Sequence, residues 1–94
     1  MGQGRILIID DDPDITEAMS VVLENKGYEV RSAADGSEGM NRIQESRPDL
    51  IILDVMMRTR QEGFELARDL KGNAQYKDIP ILMLTAVKDK TGLD

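Results

Sequence analysis

The chain has 94 residues, of which 40% are hydrophobic and only 3% aromatic, and its formal net charge is −6 at pH 7. This length allows one small domain with an aliphatic core, and the negative charge argues against nucleic acid or an anionic membrane as the main partner. The absence of cysteine excludes disulfides and zinc–thiolate sites, and the absence of histidine removes the usual general base and transition-metal ligand.

Strand and helix signals alternate through the first third of the chain. Arg5–Ile9 is a short run, apolar throughout from Ile6, that predicts a strand covered on both faces. A helix is predicted to begin at Pro13, capped by Asp12, and to end at Gly27. Its predicted buried face consists of Ile15, Ala18, Met19, Val22 and Leu23. Tyr28–Ala33 alternates in polarity, which is typical of an edge strand.

The same alternation continues through the rest of the chain. The predicted elements are a helix over Ser37–Glu45, a strand over Asp49–Leu53, a polar loop over Arg58–Glu62, a helix from about Gly63 to Leu70 and a strand over Ile79–Leu84. The buried positions are predicted at Met40 and Ile43 in the first of these helices and at Phe64, Ala67 and Leu70 in the second. This alternation predicts an α/β fold with a parallel sheet and right-handed crossovers.

Three of the predicted strands end on polar residues. Asp10, Asp11 and Asp12 follow the first strand, Asp54 ends the third, and Thr85 follows the fourth. The carboxyl ends of parallel strands meet at one edge of a sheet, where ligands bind. We therefore expect these carboxylates and this hydroxyl to gather at a single site.

Such a cluster of carboxylates is costly. Three ionised carboxylates about 5 Å apart repel by about 3 kcal/mol per pair at an effective dielectric constant of about 20. Either one carboxylate keeps a proton through a raised pKa, or a cation lies among them. Ligands that are all oxygen favour Mg²⁺, Mn²⁺ or Ca²⁺. A helix cap needs only one aspartate, which we take to be Asp12, so Asp10 and Asp11 are attributed to the site.

Four ordered segments of the chain closely resemble the receiver domain of bacterial two-component response regulators. They are Ile6–Asp12 (ILIIDDD), Asp49–Met57 (DLIILDVMM), Glu62–Leu66 (EGFEL) and Ile79–Ala86 (IPILMLTA). The resemblance covers nearly the whole chain. It implies a flavodoxin-like, doubly wound parallel sheet, here with four strands in the order 2-1-3-4 and three helices.

The resemblance also implies a chemistry for the site. Asp54 would be the phosphoacceptor for a histidine kinase or phosphotransfer protein, in a reaction that needs Mg²⁺ or Mn²⁺ as its substitute. The metal would be held by Asp10, Asp11, Asp54 and the backbone carbonyl of Met56, and Thr85 would hydrogen-bond the phosphoryl group and act as the switch. The domain would then be a cytoplasmic signalling module and not an enzyme.

The chain departs from this family after its fourth strand. Receiver domains have a fifth strand, led by a lysine that pairs with the phosphoryl group, and a fifth helix. Lys88 and Lys90 follow Thr85 too closely to be that lysine, so we expect residues 1–94 to form an incomplete receiver domain. Its fourth strand would be an open edge, and apolar sheet surface beside the first helix would be uncovered. This predicts weak stability or self-association through the fourth strand.

Two other functions fit part of the pattern. A receiver-like interaction module without phosphotransfer is the first, and the missing lysine favours it. A haloacid-dehalogenase-type phosphatase is the second, with Asp10 as nucleophile and Asp12 as acid/base. That second interpretation needs a longer chain and leaves Asp54 unexplained. We expect neither nucleic-acid binding nor membrane binding by this chain.

Overall fold

The computed structural model of the protein describes residues 4–54 and 60–84, and for residues 60–62 it describes the backbone alone. The elements of this part are β1 (Arg5–Ile9), α1 (Pro13–Asn25), β2 (Glu29–Ala33), α2 (Gly36–Glu45), β3 (Leu50–Asp54), α3 (Arg60–Lys71) and β4 (Ile81–Leu84). The strands are parallel and lie in the order β2-β1-β3-β4. The predicted order 2-1-3-4 is therefore confirmed, with β2 at one edge.

The sheet divides the core into two clusters because successive side chains of a strand point to opposite faces. The larger cluster lies under α2 and α3; its buried members are Leu7, Ile9, Ala33, Ile43, Ile51, Leu53, Leu66, Leu70 and Ile79. The smaller cluster lies under α1 and contains Ile6, Ile8 and Ile52. Every buried strand side chain here is aliphatic or alanine, as the composition predicts, and the rigid sheet fixes where each strand end emerges.

Helix α1 begins as the sequence predicts. Asp12 is its N-cap, and the Asp12 side chain accepts hydrogen bonds from the backbone N–H groups of Asp14, at 3.0 Å, and Ile15, at 3.5 Å. Pro13 stands at the first helical position, where its lack of an N–H costs nothing. At the other end Gly27 has φ 98°, a conformation that glycine adopts without strain and that ends the helix.

Removing the cap tests how much Asp12 contributes to stability. We expect Asp12→Ala to lower the free energy of unfolding by about 1 kcal/mol, or the thermal midpoint by roughly 4–8 °C. Asp12→Asn should stay close to the wild type because asparagine caps equally well. Thermal unfolding followed by circular dichroism measures both. Equal losses in the two variants would contradict the capping role.

The predicted buried face of α1 is only partly correct. Met19 and Leu23 pack against the smaller core cluster, but Ile15 is 37% exposed and Val22 is 54% exposed, and Ala18 is exposed as well. In the part of the chain that the structure describes, this face of the sheet is contacted by α1 and by no other helix. A single helix can bury only the stripe that faces the sheet, so the flanks of the predicted face stay in contact with solvent.

The predicted loop and helix after β3 also need correction. Arg60, Gln61 and Glu62 belong to α3 and not to a loop, because all three are good helix formers. Phe64 was predicted to be buried and is 50% exposed, whereas Leu66 is 6% exposed. In this helix residues 63, 66, 67 and 70 form the side that faces the core, and Phe64 lies on the flank of that side.

Strand β4 is shorter than predicted and carries exposed apolar surface. It begins at Ile81, and Ile79, which was predicted to belong to it, is buried in the bend before it. Leu82 lies on the α1 side of the sheet and is 52% exposed, next to a groove that Leu50 and Ile52 also line. The predicted uncovered apolar surface is thus present in the described residues. Within those residues no helix is long and apolar enough to cross a membrane.

Self-association through β4 stays a prediction, and Leu82 is the residue that tests it. We expect the weight-average mass from light scattering to rise with concentration in the wild type. This rise should disappear in Leu82→Lys, because a charge on exposed apolar surface disfavours its burial against another molecule. Val21→Lys, at a 52% exposed position on α1, is the matched control. A wild type that stays monomeric at high concentration would contradict the prediction.

Candidate functional site

The aspartates that follow β1 and end β3 lie side by side at the carboxyl edge of the sheet. In the β1–β3 pairing Ile9 is opposite Leu53, so the next residue on each strand, Asp10 and Asp54, reaches the same edge. Asp11 extends the group. Each of Asp10, Asp11 and Asp54 offers a carboxylate oxygen, and these three oxygens lie within 4.8 Å of one another. The structure thus brings together three of the side chains that the sequence analysis placed in one site.

The three carboxylates differ in exposure. Asp10 is only 4% exposed, Asp54 is partly buried and Asp11 is exposed. The backbone on both sides fixes Asp10: its N–H donates to the carbonyl of Ala33 at 3.0 Å, and its Oδ1 accepts from the N–H of Asp12 at 2.9 Å. The cluster therefore has a rigid buried member and two members that a ligand can reach from solvent.

The pKa of Asp10 is raised from 3.8 to about 6, and burial is the largest cause. The negative charge of Asp54, a hydrogen bond between the two side chains and the charge of Asp11 also contribute to this rise, while the hydrogen bond from the Asp12 N–H opposes it. Like charges and desolvation both disfavour the ionised form of a buried carboxyl. A raised pKa is one of the two ways in which the sequence analysis expected the repulsion to be offset, and it applies to Asp10.

The same residues fit a hard divalent cation. The donors are carboxylate oxygens on a rigid edge, which is the ligand type that Mg²⁺, Mn²⁺ and Ca²⁺ take in proteins. A cation among them would stabilise the ionised form of Asp10 that burial and repulsion now disfavour. The raised pKa of Asp10 supports this fit, because the repulsion among three carboxylates that contributes to it is what a bound cation would relieve.

The remaining predicted site residues divide into two groups. Asp12 is near the cluster in sequence, but its side chain is engaged at the N-terminus of α1. Met56 and Thr85 lie outside the described residues, and their roles stay predictions. As predicted from the sequence, Asp12 caps the helix while Asp10 and Asp11 join the cluster.

The role of Glu38 beside the site was not predicted from the sequence. Its carboxylate accepts the N–H of Ala34 at 2.9 Å, and its own N–H donates to the cap residue Asp35 at 2.8 Å. Glu38 and Arg42 line an open hollow of about 630 Å³ that extends from Asp10 and Asp11 along α1 and the end of β2. The sequence carried a signal for this cap, since an aspartate followed three residues later by glutamate is a typical helix start.

Comparison with known protein families and proteins agrees with this geometry. Residues 6–93 match the family described as "Response regulator receiver domain". The chain is 46% identical over 83 residues to the DNA-binding dual master transcriptional regulator RpaA of Synechocystis, covering 88% of this chain and 34% of that protein. It is 45% identical over 82 residues to the response regulator MprA of Mycobacterium tuberculosis, covering 87% and 34% respectively.

Solved structures give the same result. The N-terminal domain of a response regulator receiver protein from Methanoculleus marisnigri is 37% identical with a TM-score of 0.84, covering 89% of this chain and 68% of that one. The chemotaxis response regulator CheY4 of Vibrio cholerae is 39% identical with a TM-score of 0.78, covering 92% and 73%. This chain spans about a third of the length of the curated relatives named above. The fold, the site and these relatives place the chain in the family of response regulator receiver domains of two-component systems.

Proposed function

We propose that this receiver domain accepts a phosphoryl group on Asp54 from a histidine kinase or phosphotransfer protein, in a reaction that depends on Mg²⁺. The observation that carries the proposal is the meeting of three carboxylate oxygens within 4.8 Å at the carboxyl edge of the sheet. Asp54 is the partly exposed member that ends a strand, while Asp10 is buried. This division fits Asp54 as the reacting group and Asp10 as a fixed ligand.

In this proposal the chain contributes a nucleophile and its placement. A carboxylate oxygen of Asp54 attacks the phosphorus, the bond from phosphorus to the donor breaks, and the donor leaves with the electron pair. Since carboxylate is a weak nucleophile, the rate depends on positioning and on neutralising charge. Bound Mg²⁺ would supply that neutralisation, and Asp10, Asp11 and Asp54 are the described residues that would hold it.

Two further parts of the proposal come from the family resemblance. The backbone carbonyl of Met56 would be a further metal ligand, and the Thr85 hydroxyl would donate a hydrogen bond to the phosphoryl group. That hydrogen bond exists only after phosphorylation, so it would bias the domain between two states.

Phosphoryl incorporation tests the proposal directly. The protein is incubated with an acyl phosphate donor such as acetyl phosphate, with Mg²⁺ or with a chelator, and its intact mass is measured. We expect the mass of one phosphoryl group to be added only with Mg²⁺, and to be removed by hydroxylamine, which cleaves acyl phosphates. Asp54→Asn should add none, whereas Asp78→Asn should behave as the wild type because Asp78 is exposed in the connector before β4. Incorporation that survives in Asp54→Asn would contradict the assignment.

Mg²⁺ binding and ester hydrolysis, measured beside phosphoryl incorporation, separate the two alternatives. A receiver-like interaction module would bind Mg²⁺ at the carboxylate cluster but incorporate no phosphoryl group. A phosphatase would release phosphate from a generic ester, and this turnover would be lost with Asp12→Asn and kept with Asp54→Asn. The engagement of the Asp12 side chain at the helix N-terminus counts against that second alternative.

A further inference from the structure

Gly39 stands in α2 at a position where another side chain fills the space of its missing Cβ. The residue is buried, and a Cβ built on it would lie 2.7 Å from Ile9 Cδ1 and 3.3 Å from Ile9 Cγ1. The first distance is shorter than real Cβ contacts allow. Glycine inside a helix is less stable than alanine, so its presence here calls for a packing reason. The close approach of α2 to Ile9 supplies that reason.

Ile9 has little room to move away. It is the last residue of β1, it is 0% exposed, and it belongs to the larger core cluster. Interiors are packed about as densely as organic crystals, so a displaced methyl group must displace its neighbours in turn. A Cβ at Gly39 would therefore push Ile9 Cδ1, the end of that side chain, into the packed core, or move the helix or the end of β1.

The end of β1 is also where Asp10 leaves the sheet. Asp10 follows Ile9 directly, and its N–H donates to the carbonyl of Ala33 at the end of β2. The next residue of that segment, Ala34, donates its N–H to Glu38 of α2. Helix α2, the end of β2 and Asp10 are thus joined by two hydrogen bonds and the packing of Gly39 on Ile9.

We propose that Gly39 is a positioning residue for the carboxylate of Asp10. The absence of a Cβ lets α2 pack closely on the side chain of Ile9, and this packing fixes the end of β1 and therefore the position of Asp10 in the carboxylate cluster. Gly39 and Ile9 act as a size-matched pair. The inference rests on the proposed Mg²⁺ site and names a residue outside that site which sets its geometry.

The atom that blocks a Cβ at Gly39 can be removed. Ile9→Val deletes Cδ1 and keeps both γ carbons, which leaves the tight but tolerable 3.3 Å neighbour. We expect Gly39→Ala alone to raise the dissociation constant for Mg²⁺ about tenfold, the lower end of what changes in supporting residues cost at metal sites. The double variant Ile9→Val/Gly39→Ala should return to within about twofold of the wild type, because the added and deleted carbons compensate.

Four proteins and one control decide the question: the wild type, both single variants, the double variant, and Ile43→Val. Ile43 is buried in α2 one turn further from the carboxyl edge, so its truncation loosens the packing of the same helix without filling the space at Gly39. Mg²⁺ affinity is measured by titration calorimetry at pH 8, and stability by urea unfolding. We expect Ile43→Val to lower the urea midpoint and leave Mg²⁺ affinity unchanged. If the role of Gly39 were purely structural, Gly39→Ala would behave in the same way.

Two results would overturn the inference: Gly39→Ala binding Mg²⁺ within about twofold of the wild type, or a double variant that binds no better than Gly39→Ala. If Gly39→Ala does not fold, the double variant still decides, since its folding and Mg²⁺ affinity should recover if the pair is size-matched and stay lost if it is not. A wild type that binds no Mg²⁺ would instead overturn the proposed function, a result recognisable before any variant is compared.

Discussion

Asp10→Asn is expected to stabilise the metal-free domain at neutral pH by about 3 kcal/mol. The pKa of Asp10 is raised from 3.8 to about 6 in the folded chain, and each pKa unit corresponds to 1.36 kcal/mol. Because Asp10 is only 4% exposed, solvent screens this effect little. Asparagine is uncharged at every pH, keeps an oxygen that can accept the N–H of Asp12, and adds N–H donors toward Asp54. For a domain of this size the thermal midpoint should rise by more than about 10 °C.

The stabilisation should depend on pH with a definite sign. A folded pKa above the unfolded value means that the folded state holds the proton more tightly. The contribution of Asp10 to stability is therefore fully present below about pH 4, falls as the pH rises toward 6, and is lost above that. Asparagine has no such dependence. We expect wild type and Asp10→Asn to be nearly equally stable at pH 4 and to diverge up to about pH 7.

Thermal unfolding from pH 4 to 8 in the presence of a chelator measures this difference. Subtracting the two stability curves isolates Asp10 from the other carboxylates of the chain. Asp78→Asn serves as the control, since it makes the same chemical change at an exposed connector position and should shift the curve by well under 1 kcal/mol. A difference in the free energy of unfolding between wild type and Asp10→Asn that stays constant across this range would show that burial and repulsion do not raise the pKa of Asp10.

Mg²⁺ should stabilise the wild type and leave the site variants almost unchanged. At pH 8 a cation held by the ionised cluster stabilises only the folded state. It should add about 1.4 kcal/mol at ten times its dissociation constant and about 2.7 kcal/mol at a hundred times. The latter raises the midpoint by on the order of 10–20 °C. Asp10→Asn and Asp54→Ala should gain almost nothing, because each removes one of the three carboxylate ligands.

Circular dichroism melts with increasing Mg²⁺ test this expectation. The shift should grow with the logarithm of the Mg²⁺ concentration in the wild type and in Asp78→Asn, and should be flat in the two site variants. A general effect of salt on a chain of net charge −6 would instead move all four proteins together. A broad thermal transition in the wild type whose midpoint does not change with Mg²⁺ would mean that this chain has no functional metal site.

Much of the fold could be predicted because its determinants are local. The apolar run of β1 and the capping of α1 by Asp12 depend on residues that are neighbours in the chain, and both agree with the structure. The parallel order of the strands follows from the alternation of strand and helix. The meeting of Asp10 with Asp54 follows from that order alone, since both stand at the ends of adjacent parallel strands.

The errors concern which side chains become buried. Phe64 and Val22 were predicted on buried faces because their spacing is helical, yet about half of each is exposed. A helical period defines a face but not the width of the stripe that a partner covers. That width depends on which segments, distant in sequence, pack against the helix, so periodicity could not supply it.

The sequence by itself determined the order of the elements, the caps and the set of acidic residues at the sheet edge, because each is written in short-range spacing and in residue type. Only the tertiary structure decided that Asp10 is the buried carboxylate with the raised pKa, and that Gly39 leaves room for Ile9 beside it. Desolvation and close packing are properties of atoms brought together from separate segments. They exist only once the chain has folded.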